Sequence, residues 1–201
     1  MTTKIIPVSI YAEMTPNPST MKFVANRLII ENGGVVEYND PDETKNSPLA
    51  ARLFNFPFVT ALFISGNFIT ITKNDIIEWD DVMTELREYI QEYLNSGSPV
   101  FNAPVDPAIT LNKEDVSFEN TMPETEIEKQ IVSVLEEYVK PAVERDGGAI
   151  HFKSFKEGVV SVVLRGSCSG CPSSSITLKN GIEALMTRMV PEVKEVVAYE
   201  G

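Results

Sequence analysis

Both cysteines of the chain, Cys168 and Cys171, lie in one stretch, RGSCSGCPSSS, at residues 165–175. Their C-x-x-C spacing lets two sulfurs turn to one side and share a centre. The flanking Gly166, Ser167, Ser169 and Gly170 leave the backbone bare, so amides can approach a sulfur-rich anion and hydrogen-bond to it. Thiolates are soft donors that select zinc, copper(I) or iron–sulfur clusters. Tetrahedral zinc and the common clusters usually take four ligands. The chain supplies 2 cysteines and 1 histidine. That histidine, His151, alternates with Ile150 and Phe152 in AIHFKSF and reads as a solvent-facing or sheet-covering side chain rather than a ligand. The ligand set is half complete. A two-fold axis through the site would double two thiolates to four and place the centre at a seam between two copies. A centre held at a seam, near solvent, suits handing a cluster onward better than long-lived electron transfer.

Two other chemistries share the spacing. A thiol–disulfide oxidoreductase also carries a dithiol at a strand-to-helix turn, and a zinc ion could join two copies. Against the dithiol, a proline follows Cys171 instead of lying between the cysteines, and the preceding strand belongs to a hairpin.

The loop must be positioned by the elements on either side. VVSVVLR alternates and pairs with AIHFKSF around Lys156-Glu157-Gly158, which predicts a hairpin. SSSITLKNGIEALMTRMV predicts a helix with Ile176, Ile182, Leu185 and Met189 inward; Ser173 to Ser175 are placed to cap it. The cysteines thus sit at a helix N-terminus, where free N–H groups favour thiolate. Upstream, EIEKQIVSVLEEYVKPAVERDGG puts Ile127, Ile131, Val134, Leu135 and Val139 on one stripe. Pro141 should kink that helix, and Gly147 can end it with positive φ. Asp146, Gly147 and Gly148 therefore read as a helix stop and a tight lead into the first strand. VKEVVAY predicts a last strand.

The N-terminal part is a second mixed unit. TMKFVANRLII predicts a strand ended by Asn32-Gly33-Gly34. SPLAARLF predicts a short helix with Ser47 as N-cap and Pro48 in the first turn. FVTALFI and FITIT flank the hairpin signal Ser65-Gly66-Asn67. NDIIEWDDVMTELREYIQEYL carries Trp79, Val82, Leu86, Ile90 and Tyr93 at helical spacing. Between the units the apolar periodicity stops and Pro99, Pro104, Pro107 and Pro123 punctuate the chain. The expected organisation is a first domain at 1–95, a linker at 96–123 and a cysteine-bearing domain at 124–201. The fold class is α+β: two small mixed domains, the second a hairpin plus a C-terminal strand covered by two helices.

Composition narrows the partners. The chain has 201 residues, 43 % hydrophobic, with a formal net charge of −12. Such a chain can bury a core, and phosphate backbones and anionic lipid surfaces repel it. Nucleic acid and membranes are not expected partners. No apolar run has the length of a membrane span. The N-terminus has neither a secretory h-region nor an Arg-rich, acid-poor presequence. Two cysteines make no disulfide framework, which agrees with a reducing compartment; the expected location is cytoplasmic, the alternative being a mature chain already trimmed.

YVKPAVERDGGAIHF, VVLRGSCSGCPSSSITLKNGIEALM and VPEVKEVV resemble the NifU-like C-terminal domain of the Nfu family of iron–sulfur cluster scaffold and carrier proteins. The resemblance covers nearly all of residues 124–200. TPNPSTMKFV, SPLAARLF, FITITK and Trp79 resemble the Nfu N-terminal domain. Pro57-Phe58 departs from the Gly-Val pair common there, a local change at the lead-in to the hairpin strand. The resemblance implies that Cys168 and Cys171 ligate a cluster, typically [4Fe–4S] bridged between two protomers, with [2Fe–2S] possible. It implies cluster-donating assembly proteins and apo-protein acceptors as partners, and a carrier rather than an enzyme. The N-terminal domain has no cysteine, so partner recognition or control of access to the cluster is its expected role.

Overall fold

A computed structural model of the chain describes residues 7–31, 34–105, 125–168 and 172–200; of 172–175 and 200 it describes the backbone only. The chain divides into two compact units, Met1–Thr110 and Leu111–Gly201.

The first unit is a five-stranded antiparallel sheet in the order β1-β2-β5-β4-β3. Its strands are β1 (Ile10–Met14), β2 (Thr20–Ala25), β3 (Val35–Tyr38), β4 (Val59–Ser65) and β5 (Phe68–Lys73). Two helices, α1 (Pro48–Leu53) and α2 (Trp79–Asn95), complete it. Ser47 caps α1 as its residue type predicts: its Oγ accepts the Ala50 N–H at 3.2 Å. The β4–β5 hairpin turns at Gly66 with φ of 47°, a conformation glycine reaches without a Cβ clash. Along α2, Val82, Leu86, Ile90, Tyr93 and Leu94 are buried, the repeat expected of one helix face against a sheet. Phe58 is buried and its carbonyl accepts the Asn74 N–H at 2.9 Å. The Pro57-Phe58 departure is thus confined to the lead-in of β4.

Three features differ from the sequence pattern. The strand expected through TMKFVANRLII stops at Ala25, because its partner β5 begins at Phe68 and offers no further edge. The chain then crosses the hairpin tip, where Ile29 and Ile30 N–H groups bond to the Gly66 carbonyl. Asn32 and Gly33 lie outside the described residues. Strands β1 and β3, of 5 and 4 residues, are additional. Part of the proline-punctuated stretch packs on the first unit. Tyr93 Oη donates to the Pro99 carbonyl and Ser47 Oγ to the Val100 carbonyl, each at 2.8 Å. Val100, Phe101 and Val105 pack against the core. A proline lacks its own N–H, but carbonyls in such a stretch remain acceptors for side-chain donors. Residues 106–124, the rest of that stretch, lie outside the described residues.

The second unit is a three-stranded sheet in the order β6-β7-β8, with β6 (Gly148–Lys156) antiparallel to β7 (Val159–Gly166) and β8 (Glu195–Glu200) parallel to β7. The parallel pair requires a crossover, and α5 (Pro172–Met189) makes it. The other layer is one continuous helical stretch with three parts: α3 (Glu126–Val134), a π-helical turn at Leu135–Val139, and α4 (Lys140–Arg145). Pro141 cannot donate to the carbonyl four residues back, and its ring presses on it. The chain answers by widening the preceding turn, with the Lys140 N–H reaching the Leu135 carbonyl. Ile131, Val134, Leu135, Val139, Ile182 and Val196 are buried in the common core. Strict alternation along β6 fails at a bulge between Phe152 and Ser154. The extra residue brings Phe155 to the core side with Ile150 and Phe152. No described helix is long and apolar enough to cross a membrane.

Candidate iron–sulfur ligand loop

The site is built where the end of α4, the start of β6 and the end of β7 meet. Gly147 ends α4 with φ of 86°, and its N–H returns to the Glu144 carbonyl at 3.1 Å. Gly148 then opens β6 opposite Gly166, the last residue of β7. Gly166 also has positive φ, 68°, so β7 ends in a turn that a side chain would strain. The next residue folds back: Ser167 N–H donates to the Gly147 carbonyl at 3.3 Å, and Ser167 Oγ donates to the Asp146 carbonyl. Through these contacts the Asp146–Gly147–Gly148 turn holds the residue next to Cys168.

Cys168 is 7 % exposed and belongs to the second unit's core cluster. Its sulfur lies against Gly148. A Cβ built on Gly148 would stand 2.8 Å from Cys168 Sγ and 2.5 Å from the Arg165 carbonyl oxygen. The bare Cα is therefore what leaves the thiol its place. Ser167 Oγ stands 3.9 Å from Cys168 Sγ. Burial pushes the Cys168 thiol pKa up; Asp146 acts in the same direction, and the hydrogen bond with Ser167 opposes it. Burial thus acts against the helix-end effect that favours thiolate. Ligating a metal would require the proton to leave.

Cys171, the second expected ligand, lies outside the described residues. Pro172 opens α5 directly after it, so Ser173–Ser175 fall inside the helix's first turn; their side chains are likewise outside the described residues. Ile176, expected to face inward, is 61 % exposed, whereas Ile182 is buried and Leu185 and Met189 are partly buried. His151 is exposed on β6 opposite Val163. Desolvation by surrounding atoms and the charges of Arg165 and Lys140 push its pKa down to about 4. The ring still meets solvent, and water returns part of that desolvation cost; the two cations keep the direction downward. Among the described residues, no three His, Cys, Asp or Glu side chains gather where they could hold a metal. Gly148 and Ser167 matter to the thiol more directly than sequence spacing shows, since the contact joins segments on two strands. Their signal was the pairing of a DGG turn with a G-S-C sequence.

Two family models match the chain: "Scaffold protein Nfu/NifU N terminal" over residues 10–97 and "NifU-like domain" over residues 131–197. The human protein named NFU1 iron-sulfur cluster scaffold homolog, mitochondrial, is 32 % identical over 93 % of this chain and 70 % of its own length. NifU-like protein C1709.19c of Schizosaccharomyces pombe is 35 % identical over 94 % of this chain and 71 % of its own length. The chain belongs to the Nfu/NifU family. Another relative of this Nfu/NifU chain is NifU-like protein 5, mitochondrial, of Arabidopsis thaliana, 34 % identical over 93 % of the chain. The chain spans 66 % of that relative's length, just under two thirds. Both cysteines of the Nfu/NifU chain fall within the NifU-like match, and the first unit's described strands and helices lie almost wholly within the Nfu/NifU N-terminal match.

Proposed function

We propose that this chain is an iron–sulfur cluster scaffold and carrier. Cys168 and Cys171 of two copies supply the four thiolates of a shared [4Fe–4S] cluster, which is cargo received from assembly proteins and passed to apo-proteins. The observation that carries this reading is the placement of Cys168. It stands at the end of β7, two residues past a positive-φ glycine, with its sulfur lodged over the bare Cα of Gly148. A strand-to-helix loop with two thiols and small neighbours fits a cluster ligand set that one chain leaves half filled. The names of the human and Drosophila relatives, iron-sulfur cluster scaffold homologs, point the same way.

On this reading the chain is a carrier without turnover of its own. The division into a recognition domain, a linker and a cluster-binding domain follows from it, with partner recognition assigned to the first unit. A thiol-based carrier needs a reducing compartment. The sequence expectation is the cytoplasm, and the named human, plant and insect relatives are mitochondrial.

Anaerobic reconstitution with iron and sulfide, followed by iron, sulfide, zinc and protein analysis, tests the reading. The expected product is brown, with four irons and four sulfides per two chains, as [4Fe–4S] stoichiometry requires. Cys168→Ser and Cys171→Ser should each abolish it. A colourless product with zinc at one ion per two chains, or cluster retained by either serine variant, would overturn the assignment.

A further inference from the structure

The first unit has an edge that is only half closed. β1 is an outer strand of its sheet, and outer strands present backbone groups that another chain can pair with. Helix α2 runs beside it and closes its first half with side chains. Asn95 Oδ1 accepts the Val8 N–H at 2.8 Å, and Asn95 Nδ2 donates to the Val8 carbonyl at 2.9 Å. One helical step earlier, Gln91 Oε1 accepts the Ile10 N–H at 3.1 Å. Four helical residues advance roughly 6 Å and two strand residues roughly 6.8 Å, so the two elements keep step. The next pair in that progression is Arg87 and Ala12. Here the closure ends. A guanidinium has donors only and cannot accept an N–H.

Strand alternation puts the N–H and C=O of Ala12 and Met14 on the same outward side as those of Ile10. Among the described residues, neither Ala12 nor Met14 has a hydrogen-bond partner on that side. Beside Ala12 the strand and helix part around an open cleft of about 270 Å³, lined by Tyr11, Ala12, Met83, Thr84 and Arg87. Tyr11 and Met14 are 53 % and 87 % exposed.

We infer that the open half of this edge, Ala12–Met14 with its cleft, docks an extended, basic peptide segment of a partner protein. Outward backbone groups two residues apart match the backbone of another extended chain. The cleft, smaller than the roughly 300–1,000 Å³ of small-molecule pockets, takes a side chain of that segment. Charge sets the segment's character. α2 exposes Asp80, Asp81, Glu85, Glu88 and Glu92 against the single basic residue Arg87. Pairing β1 with β1 of a second copy would press two such helices together, so a second copy is disfavoured and a basic strand is drawn in. The inference rests on the recognition role proposed for the first unit and is independent of cluster binding by the second.

The test uses the full chain and a blocked hexapeptide of alternating lysine and valine, with a glutamate–valine counterpart. Amide exchange followed by NMR should slow at Ala12 and Met14 when the lysine peptide is added. Its affinity should fall as salt rises from about 0.05 to 0.3 M, since screening shortens the range of the attraction. Ala12→Pro removes the outward N–H and should weaken binding at least tenfold. Thr84→Lys, at an exposed position, should weaken it without touching the strand, which keeps the test decisive if the proline disturbs β1. Cluster loading, measured on the same samples, should be unchanged and reports separately on the scaffold reading. Equal binding of the glutamate peptide, protection at another site, no binding, unaffected variants, or a β1-paired dimer would each overturn the inference.

Discussion

At the scale of single residues, the contact that decides the site is an absence of atoms. Gly148 has φ within the ordinary range and no conformational need for glycine, since among the described glycines only Gly66, Gly97, Gly147, Gly158 and Gly166 have positive φ. What it cannot carry is a Cβ, which would meet the Arg165 carbonyl at 2.5 Å and Cys168 Sγ at 2.8 Å. One neighbour is backbone held in a paired strand and cannot yield cheaply. Gly148→Ala should therefore cost about 1–3 kcal/mol, the range for overpacking, and should displace the thiol outward, so that iodoacetamide alkylates Cys168 faster. Gly181 on α5 is the control. Nothing lies within 4 Å of its would-be Cβ, and Gly181→Ala should stabilise the chain by roughly 0.5–1 kcal/mol through helix propensity. Urea unfolding and alkylation rates measure both. Equal stability and reactivity for Gly148→Ala would show that the bare Cα is incidental. The softness of the two thiols and the bareness of the glycines beside them were legible from residue types alone, because both are properties of residues. The burial of Cys168, which pushes its thiol pKa up, was not, because burial is set by what packs around it.

At the scale of elements, legibility followed locality. α1, α2 and the Gly66 hairpin carry their signals within a few residues: a cap, a repeat, a turn. β1 and β3 do not, since strands of 5 and 4 residues acquire their pattern from neighbours rather than from alternation of their own. The π-helical turn is an intermediate case. Pro141 announces a disturbance, but whether a helix bends or widens depends on the packing of Leu135 and Val139, both buried. The bulge in β6 likewise serves the core position of Phe155 and has no local marker. The start of α3, in contrast, is local. Thr125 Oγ1 accepts the Glu128 N–H at 3.2 Å and Glu128 Oε2 accepts the Thr125 N–H at 3.0 Å, a reciprocal cap. Thr125→Ala should cost the second unit about 1 kcal/mol, seen as roughly fivefold faster exchange of the Ile131 and Val134 amides. Thr125→Ser should restore protection. Unchanged exchange in Thr125→Ala would mean that packing of the Ile131 face alone fixes where the helix begins.

At the scale of the whole molecule, the proposed shared cluster raises the question of what would bring two chains together. Each carries a formal net charge of −12, and two such chains repel over a Debye length of about 8 Å at physiological ionic strength. A surface contact would have to overcome that repulsion with apolar area, whereas the four iron–thiolate bonds of the proposed cluster would overcome it directly. The pairing should therefore depend on the cargo. Sedimentation equilibrium of the anaerobic holo-protein should give the mass of two chains, and removal of iron by a chelator should return it to one. Raising the salt concentration should lengthen the lifetime of the holo-pair, because screening lowers the repulsion while leaving the bonds intact. A metal-free pair persisting at micromolar concentration would place the association on the protein surface instead. A single chain holding a full complement of iron and sulfide, with no added thiol, would show that the missing donors come from within it, and the shared-ligand reading would fall with that result.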